Sequence, residues 1–241
     1  MRIVPLILSY VLILSYVLFF GIYSLLYTVL LPVFSYGQAA AMVAFVSAVL
    51  AAAVALVTTE KGLGISVNRQ SVGTGKRARG KCILLGFWGL FTGNCVLSLL
   101  FSPSDVTDYS IVGFILQILS AVIIHPIGEE ILFRRLFLPR IGEYLPGPAA
   151  LAVQAILFAL THYFSGTGNM LYALLGGFIL GAVYLHTGKL MYTIFLHAAV
   201  NLIGLFLPVS ILPAVCAVSA GALIVSFILY KSLTNRKESG S

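Results

Sequence analysis

The chain has 241 residues, of which 60% are apolar and only 9% are charged, and its mean hydropathy is +1.07. Soluble globular domains carry about 25% charged residues, so the composition excludes a soluble protein and predicts a polytopic membrane protein. The formal net charge of +7 could indicate a nucleic-acid partner. Its meaning depends on where the basic residues fall along the chain.

Eight stretches of the chain are apolar and long enough to cross a bilayer as helices, which takes about 20 residues each. They are residues 3–33, 38–58, 82–101, 111–138, 148–165, 169–187, 190–208 and 211–230. The first stretch is too long for the apolar region of a signal peptide, so it is expected to stay as a span. The predicted fold class is all-α, a transmembrane helical bundle of about eight spans forming one integral-membrane domain over residues 1–241.

The basic residues predict the orientation of these spans. With eight spans and a cytoplasmic N-terminus, all 14 Lys and Arg residues fall in the cytoplasm or at the inner interface, whereas Asp105 and Asp108 fall outside. That distribution obeys the positive-inside rule, so both termini are expected in the cytoplasm and the chain in the cell membrane. Residues 59–81 form a basic cytoplasmic loop, interpreted as an orientation signal lying on anionic lipid. The charge therefore indicates the lipid bilayer as a partner and no nucleic acid.

Small residues within the spans are expected to serve helix packing. Gly177 and Gly181 are four residues apart on the sixth span, a spacing typical of two helices in close contact. Cys82, Cys95 and Cys216 fall in or at the ends of spans and have neither metal-site spacing nor a disulfide framework. They are interpreted as small apolar fillers.

Three polar patterns interrupt the apolar spans and are the best indication of function. Each ionisable group at the centre of a membrane helix costs on the order of 3 kcal/mol by insertion scales, so such a group indicates a functional site. The patterns are Glu129-Glu130 with Arg134 on the fourth span, Phe158 with His162 on the fifth, and His197 with Asn201 on the seventh. From the helical rise, these polar groups are expected in the inner half of the bilayer or near its midplane, with His162 the deepest.

The two adjacent acids are expected to differ in surroundings. Glu130 precedes Arg134 by four residues, the favourable order for an ion pair that keeps Glu130 ionised and orients it. Glu129 lies about 100° around the helix and so points elsewhere, on the face that it shares with His125. A kink at Pro126, next to the acids, would open space for water.

At these three motifs the chain resembles the CPBP intramembrane glutamic endopeptidases. That family includes the CAAX prenyl proteases, the Abi proteins and the lysostaphin resistance protein A-like proteins. Its pattern of EExxxR, FxxxH and Hxxx(N/D) is intact here, in order and on three separate predicted spans. Each motif alone is weak, but the three together are specific, and they define a core of about residues 110–205.

The resemblance implies hydrolysis of a peptide bond in a membrane-associated protein or peptide, with no covalent acyl-enzyme and no cofactor. Glu129 would be the general base that takes a proton from water, and His162 would help to hold that water. His197 and Asn201 would stabilise the oxyanion on the scissile carbonyl. The supporting residues that organise the site would be Glu130 and Arg134.

Other functions remain open from the residues alone. Glu129, His162 and His197 are a legitimate ligand set for a catalytic zinc, although the HExxH helix of many zinc proteases is absent. The cluster could also belong to a non-catalytic membrane scaffold or immunity protein. A proton-coupled transporter is a further alternative, which the lack of a clear internal repeat disfavours.

Overall fold

The structure is a computed structural model that describes residues 76–101 and 111–238. The predicted spans 3–33 and 38–58 and most of the predicted loop 59–81 lie outside these residues. Regular secondary structure within the described ranges is entirely helical, in agreement with the predicted all-α class. The α-helices are α1 (Lys76–Leu100), α2 (Ile111–Ile118), α3 (His125–Glu130), α4 (Leu138–Ile141), α5 (Gly147–Leu160), α6 (Thr167–Thr187), α7 (Leu190–Phe206) and α8 (Leu212–Glu238).

Other helical geometries connect several of these elements. Two π-helical segments, Leu119–Ile124 and Ile131–Phe137, precede and follow α3, and 3₁₀ turns occur at Tyr163–Ser165 and Val209–Ile211. The chain divides into two compact units. Of the described residues, the first unit contains 111–129 and the second contains 76–101 and 130–238.

Three described helical stretches are long and apolar enough to cross a membrane, namely Lys76–Leu100, Thr167–Thr187 and Val209–Ser232. They correspond to the predicted third, sixth and eighth spans, and they support a helical membrane protein. The apolar helices α5 and α7 are shorter, at 14 and 17 residues. The count of eight spans and the cytoplasmic placement of both termini stay predictions.

The first described helix starts earlier than hydropathy predicted. The third span was expected to begin at residue 82, but α1 begins at Lys76, so the end of the predicted basic loop is helical. Lys81 Nζ donates to the backbone oxygen of Leu229 at 2.7 Å and contacts Ser232 Oγ at 3.4 Å. A lysine can be accommodated near the end of a membrane helix in this way, because its aliphatic stem covers apolar surface while its ammonium group reaches polar partners.

The second unit is built around α1 and α6. Helix α1 packs against α6 and α8, and α6 packs in turn against α5 and α7. The main apolar cluster takes residues from α1, α6 and α7: Leu90, Leu180, Val183, Leu196 and Val200. These contacts fix the relative positions of the helices that carry the second and third motifs.

Helices α5 and α6 approach closely at Gly177 and Gly181. A Cβ added at Gly177 would lie 2.7 Å from the Cα of Ala155, and one at Gly181 would lie 2.9 Å from Gln154 Oε1. Only glycine fits against a neighbouring backbone at the first of these positions. The small-residue pattern predicted from the sequence is therefore confirmed as a helix contact.

The cysteines are all in the second unit and are all free thiols. Cys95 is buried in a second apolar cluster with Phe91 and Leu212, against which Cys216 packs, and Cys82 packs on the main cluster. These positions agree with the filler role expected from the sequence.

The acids follow a change of helical geometry in the first unit. The backbone N–H of His125 donates to the backbone oxygen of Ser120, five residues earlier, which is the π-helical pattern. Pro126 comes next, and its ring would clash with the carbonyl four residues before it in an α-helix. A wider turn just ahead of the proline relieves that clash, and such π segments are frequent at functional sites. Hydropathy predicted one continuous span over residues 111–138, without these π-helical segments.

Candidate active site

Glu130, in the second unit, is fully buried, and its two carboxylate oxygens have different partners. Oε2 lies 3.2 Å from Nε of Arg134, and both side chains are 0% exposed. Oε1 lies 3.0 Å from Nδ1 of His197 on α7. The Glu130–Arg134 ion pair predicted from their spacing is present. The contact with His197 joins the first and third motifs and was not foreseen.

Arg134 places its guanidinium group in apolar surroundings. Its Cζ lies 4.4 Å from the centre of the Phe158 ring, and Nη2 donates to the backbone oxygen of Gly176 at 3.3 Å. The π-helical segment Ile131–Phe137 that carries Arg134 contacts α5, α6 and α7. A cation over an aromatic face is worth about 2 kcal/mol or more once it is desolvated, so Phe158 helps to hold this charge.

Phe158 is also the ring on which His162 and His197 pack. Its centroid lies 5.0 Å from that of His162 and 6.0 Å from that of His197, both in edge-to-face orientation. Phe133 packs against it in the same manner at 5.0 Å. The aromatic residue of the FxxxH motif therefore sets the spacing between the two histidines.

His162 lies in a turn, although the fifth span was predicted to run to residue 165. Helix α5 ends at Leu160, and the hydroxyl of Thr161 donates to the backbone oxygen of Phe158 at 2.6 Å. Nδ1 of His162 lies 3.1 Å from the same oxygen. These side chains and a tightened final turn occupy the last carbonyls, which ends the helix.

Nδ1 of His162 also lies 2.9 Å from the hydroxyl oxygen of Thr161, so both of these contacts of the nitrogen lie within the turn. In the tautomer with the proton on Nδ1, that nitrogen donates to the Phe158 carbonyl oxygen, which can only accept. In the neutral ring, Nε2 is then the accepting nitrogen, on the side away from this turn. That nitrogen has the chemistry needed to accept a hydrogen bond from a water molecule.

His197 and Asn201 lie one turn apart on α7. The side chain of His197 is 11% exposed, and Asn201 is partly buried. Helix α7 runs unbroken from Leu190 to Phe206, so the two residues share the face expected from their spacing. Nδ1 of His197 is occupied by Glu130, which turns Nε2 of that ring away from the acid.

Glu129 belongs to the first unit, and its carboxylate contacts a histidine of the same unit. Nδ1 of His125 lies 3.0 Å from Glu129 Oε1, and the two side chains are 22% and 13% exposed. The sequence placed both on one helical face, but no motif singled out His125, so its contact with the acid was missed. The position of Glu129 relative to His162, His197 and Asn201 stays a prediction.

Across residues 76–101 and 111–238, no three His, Cys, Asp or Glu side chains form a group that could hold a metal ion.

Comparison with known proteins identifies the segment that carries the motifs. Residues 111–203 match a family model described as Rce1-like, type II CAAX prenyl endopeptidase. The match contains all three motifs, covers less than half of the chain, and is to the same family that the motifs resemble. No curated protein and no solved structure matches the chain.

Proposed function

Residues 111–203 of this chain match the model of the Rce1-like family of CAAX prenyl endopeptidases, and we propose that the protein is an intramembrane glutamic endopeptidase. Glu129 is its general base, and His162 holds the attacking water. His197 and Asn201 stabilise the oxyanion. The residues that organise these groups are Glu130 and Arg134.

The observation that carries the proposal is the buried carboxylate of Glu130 shared between Arg134 and His197. Charges are buried at 0% exposure only at considerable cost, even when they are paired. Here the buried carboxylate fixes the orientation of His197, which is one of the two residues assigned to the oxyanion. The network also makes contact with Phe158, on which His162 packs, so all three motifs contribute to one arrangement.

The reaction proceeds in two steps. Glu129 takes a proton from a water held by Nε2 of His162, and the resulting hydroxide attacks the carbonyl carbon of the scissile peptide. The negative charge that develops on the carbonyl oxygen is stabilised by His197 and Asn201. The protonated Glu129 then gives its proton to the peptide nitrogen as the C–N bond breaks, which restores the carboxylate.

His197 donates to the oxyanion through Nε2. Since Nδ1–H is already used on Glu130, an Nε2–H donor requires the doubly protonated ring. The Glu130 carboxylate, 3.0 Å from Nδ1, supplies the counter-charge. Asn201 donates from its neutral side-chain amide, so the two donors differ in charge and in the loss expected on removal.

The substrate class follows from the family. A CAAX endopeptidase acts on a chain that ends in cysteine, two aliphatic residues and a variable residue, with the cysteine prenylated. We propose such a membrane-anchored C-terminal peptide as the substrate. An apolar protein of this kind receives it from the bilayer, where the prenyl chain already resides.

The test is turnover of a fluorogenic farnesylated CAAX peptide by the purified protein in proteoliposomes. Glu129→Gln, His162→Ala and His197→Ala are each expected to abolish cleavage, because each removes a group that acts on the reacting atoms. Asn201→Ala should lose about 10²–10³-fold in kcat, as for one oxyanion donor. His186→Ala, which changes a histidine packed on Tyr230 at the far end of α6, is the matched control and should remain active.

The possible outcomes separate the parts of the proposal. Full activity of Glu129→Gln would exclude glutamic catalysis. Equal cleavage of farnesylated and unmodified peptides would reject the prenyl substrate but leave the peptidase. Inhibition by a chelator, together with bound zinc in the wild-type protein, would favour the metalloprotease.

A further inference from the structure

Each of the two adjacent acids contacts an imidazole through the same pair of atoms. Glu130 Oε1 meets Nδ1 of His197 at 3.0 Å, and Glu129 Oε1 meets Nδ1 of His125 at 3.0 Å. The first pair is buried and includes Arg134. The second lies within one turn of α3 and is partly exposed, and neither the motifs nor the family match gives His125 a role.

We propose that His125 is a positioning residue for Glu129, which it holds by donating Nδ1–H to Oε1. This inference rests on the proposed function, in which Glu129 is the general base. With Oε1 held, the buried Oε2 is the oxygen to which the water transfers its proton. His125 keeps its own proton throughout, so the hydrolytic step needs no further donor or acceptor.

The exposures of the two acids favour this division of tasks. The Glu130 side chain is 0% exposed, whereas those of Glu129 and His125 are 13% and 22% exposed. A general base must exchange its proton with water and with the leaving amine, so it needs some access to them. The acid with a partly exposed side chain is the one that His125 contacts, and its Oε2 is buried within that side chain's surroundings.

The backbone around His125 restrains the position of its ring. Its N–H closes a π-helical turn onto Ser120, and the next residue, Pro126, is buried and has a fixed φ. His125 and Glu129 are then joined by one α-helical turn within the same unit. The donor therefore comes from a backbone segment with little freedom, which is what a positioning role requires.

The test compares kcat and KM of His125 variants on the farnesylated peptide. His125→Ala removes the donor, so kcat should fall about 10–100-fold, the effect of one hydrogen bond to a charged group, with KM within about twofold of wild type. His125→Asn keeps an N–H close to the position of Nδ1 and should recover most of that loss. His125→Gln moves its N–H one bond further out, to the position of Nε2, and should recover less.

Two further variants separate this inference from the proposed function. Glu129→Gln reports on the general base, and His186→Ala controls for the loss of an imidazole elsewhere. An inactive Glu129→Gln with wild-type kcat in His125→Ala would overturn the positioning role and leave the general base intact. An active Glu129→Gln would overturn both.

The remaining outcomes also decide the matter. A rise in KM with unchanged kcat in His125→Ala would assign His125 to substrate binding and reject the positioning role. If His125→Ala fails to fold by size-exclusion chromatography, the two amide variants carry the test. Asn no better than Gln would then contradict the proposal, and Asn clearly better than Gln would support it.

Discussion

The side chains of Glu130 and Arg134 show how burial makes an ion pair depend on both members. At 0% exposure neither charge is solvated by water, so each depends on the other and on the nearby His197, Phe158 and Gly176. Replacing a whole buried pair by apolar residues is often tolerated, but removal of one partner leaves the other as an uncompensated charge. The pair therefore acts as a unit, and single changes in it should be costly.

Arg134→Ala should lower the free energy of unfolding by about 3–5 kcal/mol, because Glu130 would stay buried without its counter-charge. Arg134→Lys should recover only part of this, since an ammonium group cannot stack its face on Phe158 and also donate to Gly176. Thermal unfolding in detergent measures both. Arg140→Lys is the control, because that arginine pairs at 2.7 Å with a half-exposed Glu143 and should change stability by about 1 kcal/mol or less. Equal losses at the two arginines would contradict the argument.

Local spacing predicted some of these contacts and could not predict others. The Glu130–Arg134 pair follows from a separation of four residues on one helix, which the sequence displays directly. The Glu130–His197 contact spans 67 residues, and it depends on how the segment Ile131–Phe137 packs against α7. His125 and Glu129 were placed on one face, but without a motif nothing distinguished a functional contact from a packed histidine.

Hydropathy predicted the ends and geometry of the helices that bear the first and second motifs poorly, whereas α7, with the third motif, matches its predicted span within two residues. Apolar composition is the same in α, π and 3₁₀ turns, so the two π-helical segments around α3 leave no signal in it. The end of α5 is set by side chains of Thr161 and His162 that bond the Phe158 carbonyl. Helix α6 was predicted within two residues of each end, because one apolar run and a terminal glycine, Gly188 at φ +63°, define it.

Gly177→Ala tests the close approach of α5 and α6. The new Cβ would lie 2.7 Å from the Cα of Ala155, so the helices must separate, and overpacking of this kind costs about 1–3 kcal/mol. Because α5 carries Phe158 and His162, turnover should fall together with the melting temperature. Gly221→Ala on α8 is the matched control, since nothing lies within 4 Å of its added Cβ. A neutral result at Gly177 would show that this contact is looser than described.

At the scale of the whole molecule, the sequence predicted class and family more securely than topology. Composition indicated a helical membrane protein, and three ordered motifs indicated the family that residues 111–203 match. The number of crossings is harder to obtain, because α5 and α7 are apolar but shorter than a full span. The positions of charged residues between spans remain the main argument for orientation.

That orientation can be measured with single cysteines in a background where Cys82, Cys95 and Cys216 are replaced by alanine. Ser71→Cys lies in the predicted cytoplasmic loop and should react with a membrane-impermeant maleimide only after the cells are opened. Ser104→Cys, next to Asp105, should react in intact cells, because that segment is predicted to lie outside. The opposite pattern would invert the predicted topology, and equal labelling of both positions would remove one crossing between them.

The length of α5 has a consequence for the lipid around the protein. Fourteen residues span about 21 Å, roughly 9 Å less than the hydrocarbon layer of a typical bilayer. If α5 stands across that layer, the surrounding acyl chains must compress, or other helices must cover the turn that holds His162. Each ångström of mismatch costs a fraction of a kcal/mol. Membrane thickness would then affect the position of the His162 imidazole, and a bilayer with longer acyl chains would increase the mismatch.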